Sequence, residues 1–185
     1  PTGDKVLYSI RTYNLATNKG NTDIWMYDIR KNLVSAISTD SSNESMPRWS
    51  SDGLIIYFLN DAGGSSQLWS VGVDGTNKKQ NSKLENDINL YGISPSGTMS
   101  WIAQDVKLDN YFGRDKYSDL PKSTGKIYDD LMMRHWDSWS DGSYSHIFVA
   151  SFENGKISGR LTDIMKDEHY DSPMKPDGGE EQISW

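Results

Sequence analysis

Cysteine is absent from the 185 residues, which excludes disulfides and thiol nucleophiles and leaves the redox compartment open. Positive charge is also short, with 19 Lys and Arg against 26 Asp and Glu and a formal net charge of −7. A phosphate-binding surface needs an excess of Lys and Arg, so no nucleic-acid partner is expected. The longest apolar run, Leu54–Leu59, is far below the roughly 20 residues that cross a bilayer as a helix. No stretch has the form of a signal peptide. A nucleophile-elbow serine needs G-x-S-x-G, and Gly92-Ile93-Ser94-Pro95-Ser96 fails at its last position, so no catalytic residue is assigned. The three histidines (135, 146, 169) lack H-E-x-x-H or zinc-ligand spacing, and His146 reads as an ordinary strand-end residue. Asp137–Gly142 lacks the alternating acids of a calcium loop and reads as a turn. Neither a metal nor a cofactor is expected.

What is present suits short strands: 16 glycines, 7 tryptophans and 10 tyrosines. The stretch Glu44–Thr76 sets the pattern, with a strand ending in Trp49, the turn Ser51-Asp52-Gly53, the apolar run, and a strand centred on Trp69. Gly53 offers the positive φ of a tight turn, and Asp52 can bond its own backbone two residues on. The turn recurs as Pro1-Thr2-Gly3 and Pro95-Ser96-Gly97, its glycines spaced by 53 − 3 = 50 and 97 − 53 = 44. Four or five residues after each glycine stands an aromatic: Tyr8, Tyr57, Trp101. A later strand carries Trp25, Trp69 or Phe148, and Trp49, Ile93 and Trp185 precede a turn or end the chain. A period of 40–50 residues holding about four strands is the mark of propeller blades.

The predicted fold is therefore all-β: a partial β-propeller of about three four-stranded antiparallel blades, with one short helical insertion. Blade one spans 1–43 and lacks its innermost strand. Blade two spans 44–86, with lysines guarding its outer edge near Lys78–Gln80. Blade three spans 87–162 with an insertion at 106–144, and 180–185 starts a fourth. Three blades cannot close a ring, and uncovered apolar end faces predict self-association or further chain. Trp25, Trp49, Trp69, Tyr57, Trp101 and Phe148 are expected to pack between blades, because they repeat in register.

The insertion carries Tyr128, Leu131, Met132, His135, Trp136 and Trp139 at i, i+3, i+4, i+7, i+8 and i+11, a helical period with Asp129 and Asp130 near its N-terminus. A short amphipathic helix is expected there. Arg134, His135, Trp136 and Asp137 are its candidate substrate contacts, since an Arg beside an aromatic face can hold a carboxylate or carbonyl bidentately. Asp167-Glu168 and Glu180-Glu181 read as solvated surface.

These residues carry a resemblance. Glu44–Thr76 and Ser94–Gly97 are similar to the repeat of TolB-type and prolyl-oligopeptidase-type propellers, W-S-P-D-G followed by W-x-x-D-x-D-G-T; Ser51 stands for the proline and Gly72 for the first aspartate of the later segment. Ile127–Val149 and the ending Asp171–Trp185 resemble dipeptidyl-peptidase and acylaminoacyl-peptidase relatives of the prolyl oligopeptidase family. The resemblance implies a non-catalytic propeller that gates short peptides toward a separate α/β-hydrolase domain of the same parent chain. It also implies a periplasmic or secreted setting. No triad position of that family falls within this chain. The alternative is a TolB-like periplasmic propeller that docks partner proteins, and a glycan-binding propeller would use exposed Trp25 or Trp69 as platforms.

Overall fold

The computed structural model describes residues 2–131 and 133–185. In chain order the strands are β1 (Lys5–Asn14), β2 (Lys19–Asp28), β3 (Leu33–Ser38), β4 (Glu44–Trp49), β5 (Ile55–Asn60), β6 (Gln67–Gly72) and β7 (Lys79–Gln80). There follow β8 (Leu90–Ile93), β9 (Met99–Lys107), the one-turn helix α1 (Gly113–Lys116), β10 (Arg134–His135), β11 (Ser138–Trp139), β12 (Ser143–Glu153) and β13 (Lys156–Asp163). A 3₁₀ turn at Glu180–Gln182 comes last. They form three main antiparallel sheets, ordered β1-β2-β3, β4-β5-β6-β7 and β8-β9-β12-β13, plus the hairpin β10-β11. This is the blade-by-blade architecture of a β-propeller, with each sheet stacked on the next.

The repeat is built from one turn used twice. At Ser50–Gly53, Gly53 N–H donates to Ser50 O (3.0 Å) and Ile55 N–H to Ser50 Oγ (3.0 Å), with Gly53 at φ +71°. At Ser94–Gly97, Gly97 N–H donates to Ser94 O (2.8 Å) and Met99 N–H to Ser94 Oγ (3.0 Å), with Gly97 at φ +69°. A serine hydroxyl that takes the N–H closing the turn explains why serine opens both. The ladder repeats as well: Phe58 pairs Trp69, and Ile102, 44 residues after Phe58, pairs Phe148 beyond the insertion. In the first sheet Tyr8 pairs Trp25. Tyr8 thus corresponds to Phe58 rather than Tyr57, and points to the opposite face from Tyr57 because side chains alternate along a strand.

That alternation explains the apolar run on β5. Ile56 and Phe58, both 0% exposed, pack with Ile24, Met26 and Ile37 of the first sheet. Tyr57 and Leu59 pack the other way, against Tyr91, Ile102 and Phe152 of the third sheet. A strand buried on both faces has no polar side to show. Tyr91 fastens the inner strands as well: its hydroxyl donates to Met46 O across the sheets (2.9 Å). Burial pushes that phenol well above the ordinary tyrosine range.

The third sheet's remaining face, with Trp101, Ala103 and Ile147, is covered by Met165 and Ile183 from the chain beyond β13. Ile183–Trp185 forms no ladder. On the first sheet, the face carrying Val6 and Ile10 has no described sheet over it; they are 47% and 40% exposed.

One expectation is corrected. Among the described residues of 128–139 none is helical: Arg134–Trp139 folds as the β10-β11 hairpin, with Arg134 opposite Trp139 and His135 opposite Ser138. Met132 of that period lies outside the described residues. The insertion's helix is α1, further toward its start. A helix over 128–139 would need its apolar stripe buried against the sheet. Instead Tyr128 and Trp139 stack on each other (6.0 Å between ring centroids) and Tyr128 on Tyr111 (4.8 Å), while Leu131 and Trp136 stand about 80% exposed.

Candidate functional site

The candidate site is the first insertion, residues 108–142, together with the segment after β13 that docks against it. Its base is a turnstile of main chain. Leu108 and Asp109 N–H groups both donate to Gly142 O (2.9 and 3.0 Å), and Gly142 adopts φ +89°. A Cβ on Gly142 would lie 2.0 Å from Asp109 O. Gly142→Ala therefore forces main-chain movement and adds about 1–3 kcal/mol of backbone strain. Thermal unfolding should show a lowered Tm for that variant, and an unchanged Tm would contradict the close approach.

Above the base, Phe112 anchors the insertion's start. The charges of Lys107, Arg114 and Lys126 lie 5.5, 4.3 and 5.4 Å from its ring centre. Lys126 Nζ also donates to Ser140 O (2.9 Å) and Lys107 to Asp141 O. In an acidic chain these cations are gathered by a π face and by carbonyls, which hold the returning strand over Phe112.

The hairpin tip presents the four sequence-predicted residues. Arg134 is exposed and stacks its guanidinium over the Trp139 ring (5.3 Å), a planar cation held in place by an aromatic face. His135 stacks on Trp136 (5.4 Å, 22° between planes), and its buried Nε2 has no partner among the described residues. Trp136 is 80% exposed and sits at φ +48°, a conformation bulky side chains avoid. Asp137 is exposed and accepts a local bond from Ser138 (3.2 Å). The Trp136 indole thus stands in solvent at a strained backbone position and takes no part in a core. The six repeat aromatics are distributed through the stack. Trp49 and Trp69 are half-buried against the cluster between the first two sheets, and Tyr57 and Phe148 lie between the second and third. Trp101 lies under Met165, and Trp25 is half-buried on the first sheet's open face.

Sequence reading missed the contacts joining this insertion to the segment after β13. Asp109 accepts from Tyr144 (2.7 Å) and lies 3.3 Å from His169 Nε2. The Tyr144 hydroxyl first, and then the His169 charge, hold the Asp109 carboxyl below the usual range, while partial burial opposes them. Lys175 bridges Asp105 (2.8 Å) and Asp171 (3.5 Å). Also missed was a groove of about 630 Å³ between β4, β8 and the chain end. There Arg48 pairs with Glu180 and stacks over Tyr91 (5.6 Å), with Trp49 and Trp185 in the walls. Spacing along the chain gives no signal for a pair 132 residues apart. Among the described residues no group of three His, Asp or Glu side chains is placed to hold a metal ion. No described helix is long and apolar enough to cross a membrane.

Comparison with known proteins agrees with the sheet architecture. No family model matches the chain. The fold is shared with acylaminoacyl peptidase of Pyrococcus horikoshii (TM-score 0.62, 17% identity, 86% of this chain and 23% of that one). It is shared also with a TolB protein of Agrobacterium tumefaciens (TM-score 0.54, 18% identity, 87% of this chain and 45% of that one). The class is thus the β-propeller found in peptidases of this kind and in TolB. More particularly, the chain is homologous to dipeptidyl-peptidase 5 of Porphyromonas gingivalis, with 36% identity over 188 residues. That match covers 100% of this chain and 27% of the relative, so the chain spans about a quarter of the length of that protein.

Proposed function

We propose that this chain is the non-catalytic propeller portion of a serine exopeptidase of the dipeptidyl-peptidase kind. In this reading it restricts access of short peptides to a hydrolase domain carried elsewhere on the same parent chain. The observation that carries this is the 36% identity along the whole chain to a dipeptidyl-peptidase 5. The sheet stack supplies a rigid wall. The first insertion places Arg134, His135, Trp136 and Asp137 beyond it, where an exposed indole and a stacked guanidinium can meet a peptide's side chain and carbonyl. The open face of the first sheet is where another sheet, from the same ring or a second copy, would dock. A periplasmic or secreted setting accompanies this reading. A TolB protein shares the fold at 18% identity, half of the 36% to dipeptidyl-peptidase 5.

The test is kinetic. The 185-residue chain alone should hydrolyse no short chromogenic dipeptide substrate, whereas the full-length protein should. In the full-length protein, Trp136→Ala should raise KM about three- to tenfold and leave kcat within about twofold, the loss of one aromatic contact worth roughly 1 kcal/mol. Hydrolysis by the isolated chain would end the reading of a non-catalytic part, and an unchanged KM would remove Trp136 from the substrate path.

A further inference from the structure

His146 is wholly buried at 0% exposure, near the start of β12. Its Nδ1 lies 2.9 Å from Asp163 Oδ2 and its Nε2 lies 2.9 Å from the main-chain oxygen of Glu168. Both partners are acceptors. Asp163 also takes the Met165 N–H on its other oxygen (2.9 Å). A neutral imidazole has one N–H and one lone pair, so either tautomer would set a lone pair against an oxygen at hydrogen-bond distance. The imidazolium alone donates to both.

We propose that the segment after β13 is a proton-dependent latch. Protonated His146 clamps the Asp163–Glu168 turn onto β12, and loss of that proton releases residues 164–170 and their contact with the first insertion. The surroundings support this assignment. From β13 the charged group facing His146 is Asp163, and the residue opposite it on β9 is Gln104, which is neutral and donates to the carbonyls of Asn86 and Asp87 (2.9 and 3.2 Å). The turn itself contributes a carbonyl and Met165. Next along lies the Asp105–Lys175–Asp171 chain of ion pairs, with Asp171 accepting the Ser145 N–H (2.7 Å). That second anchor contains no histidine, so opening stops short of it. His169, 54% exposed and 3.3 Å from Asp109, adds a bond of the same sign at the far end. It faces Asp109 and the edge of the Tyr144 ring (5.4 Å).

The linkage runs one way. The two bonds donated by the imidazolium exist only in the closed segment, so closure is favoured as pH falls and lost as pH rises. Closure would regulate access only if the proposed peptidase role holds; the latch itself stands on the geometry around His146.

Hydrogen–deuterium exchange of the full-length protein at about pH 5.5 and about pH 8, with labelling times scaled for the intrinsic rates, tests the latch. Residues 164–170 should exchange roughly tenfold faster at the higher pH, while β5 stays protected. His146→Gln, uncharged at either pH, should exchange fast in this segment throughout. Asp163→Asn, which removes the anion that holds the charge, should weaken the pH response without unfolding β5; it decides the matter if His146→Gln fails to fold. Equal protection of the wild type at both pH values, or an undiminished response in Asp163→Asn, overturns the proposal. Peptide hydrolysis measured on the same samples separates the two ideas. Opening without a change in KM removes the regulatory consequence and leaves the latch, and no opening removes the latch whatever the activity.

Discussion

Phe58→Ala should destabilise the protein by about 3–5 kcal/mol, the range for truncating a fully buried aromatic ring. Phe58 is 0% exposed and sits where the first and second sheets meet, among Ile24, Met26 and Ile56. It also forms a ladder pair with Trp69, so its loss leaves a cavity at an interface between sheets rather than inside one. Two sheets clamped by their flanking strands collapse into such a void only in part, which places the cost toward the upper end of the range. The Lys78 charge lies 5.5 Å from the ring and loses a π-face contact as well. Chemical denaturation of the variant should show a much lower midpoint with an unchanged slope. Phe58→Leu, which keeps most of the volume, should cost under about 1.5 kcal/mol. A loss below about 1 kcal/mol in Phe58→Ala would mean that the two sheets do not depend on this contact.

The second large effect is electrostatic. Glu44 opens β4 at 0% exposure. It accepts from Ser38 Oγ (2.5 Å) and Asn60 Nδ2 (3.2 Å) and pairs with Lys78, which also pairs with Asp40. A carboxylate belongs in such a place only when it is bonded and paired. Glu44→Ala strands three donors at once and should cost about 3 kcal/mol, the low end for breaking a buried ion pair. The low end applies because Lys78 is 24% exposed and can turn to water or to Asp40. Glu44→Gln keeps the amide oxygen for Ser38 and Asn60 and should cost roughly half as much. Burial lowers the Lys78 affinity for its proton, but its bonds to Asp40 and Glu44 outweigh that and raise it overall. The raised group contributes stability below the ordinary lysine range and loses it as pH climbs through its folded value. The gap between wild type and Glu44→Ala should therefore narrow above about pH 10. A gap that is constant across this range would assign the cost to packing instead of charge.

Both results concern residues that were legible in the chain to different degrees. The β5 run and the glycine-marked turns announced themselves, because a two-sided buried strand must be apolar and a tight turn needs a residue that tolerates positive φ. Ser50 and Ser94 repeat at one spacing because the same hydroxyl closes the same turn. Glu44 carried no such mark: a buried glutamate and a solvated one look alike in a sequence. The same holds for His146, which read as a plain strand-end residue and is held between two acceptors.

The insertion shows the limit most clearly. Its apolar residues recur at helical spacing, yet Tyr128 and Trp139 prefer each other and Tyr111, and Arg134–Trp139 turns back as a hairpin. Local periodicity predicts a helix only where a neighbouring surface waits to bury the stripe. The four candidate contact residues were legible as an unusual cluster; their exposure and the strained Trp136 were not. By itself the sequence determined the strands and glycine-marked turns of the three main sheets, since those follow from residue-level sterics and the two-residue alternation. The tertiary structure alone decided which faces meet, where Glu44, Arg48 and His146 find their partners, and how the insertion touches the segment after β13, because those depend on contacts between residues tens of positions apart that no local pattern encodes.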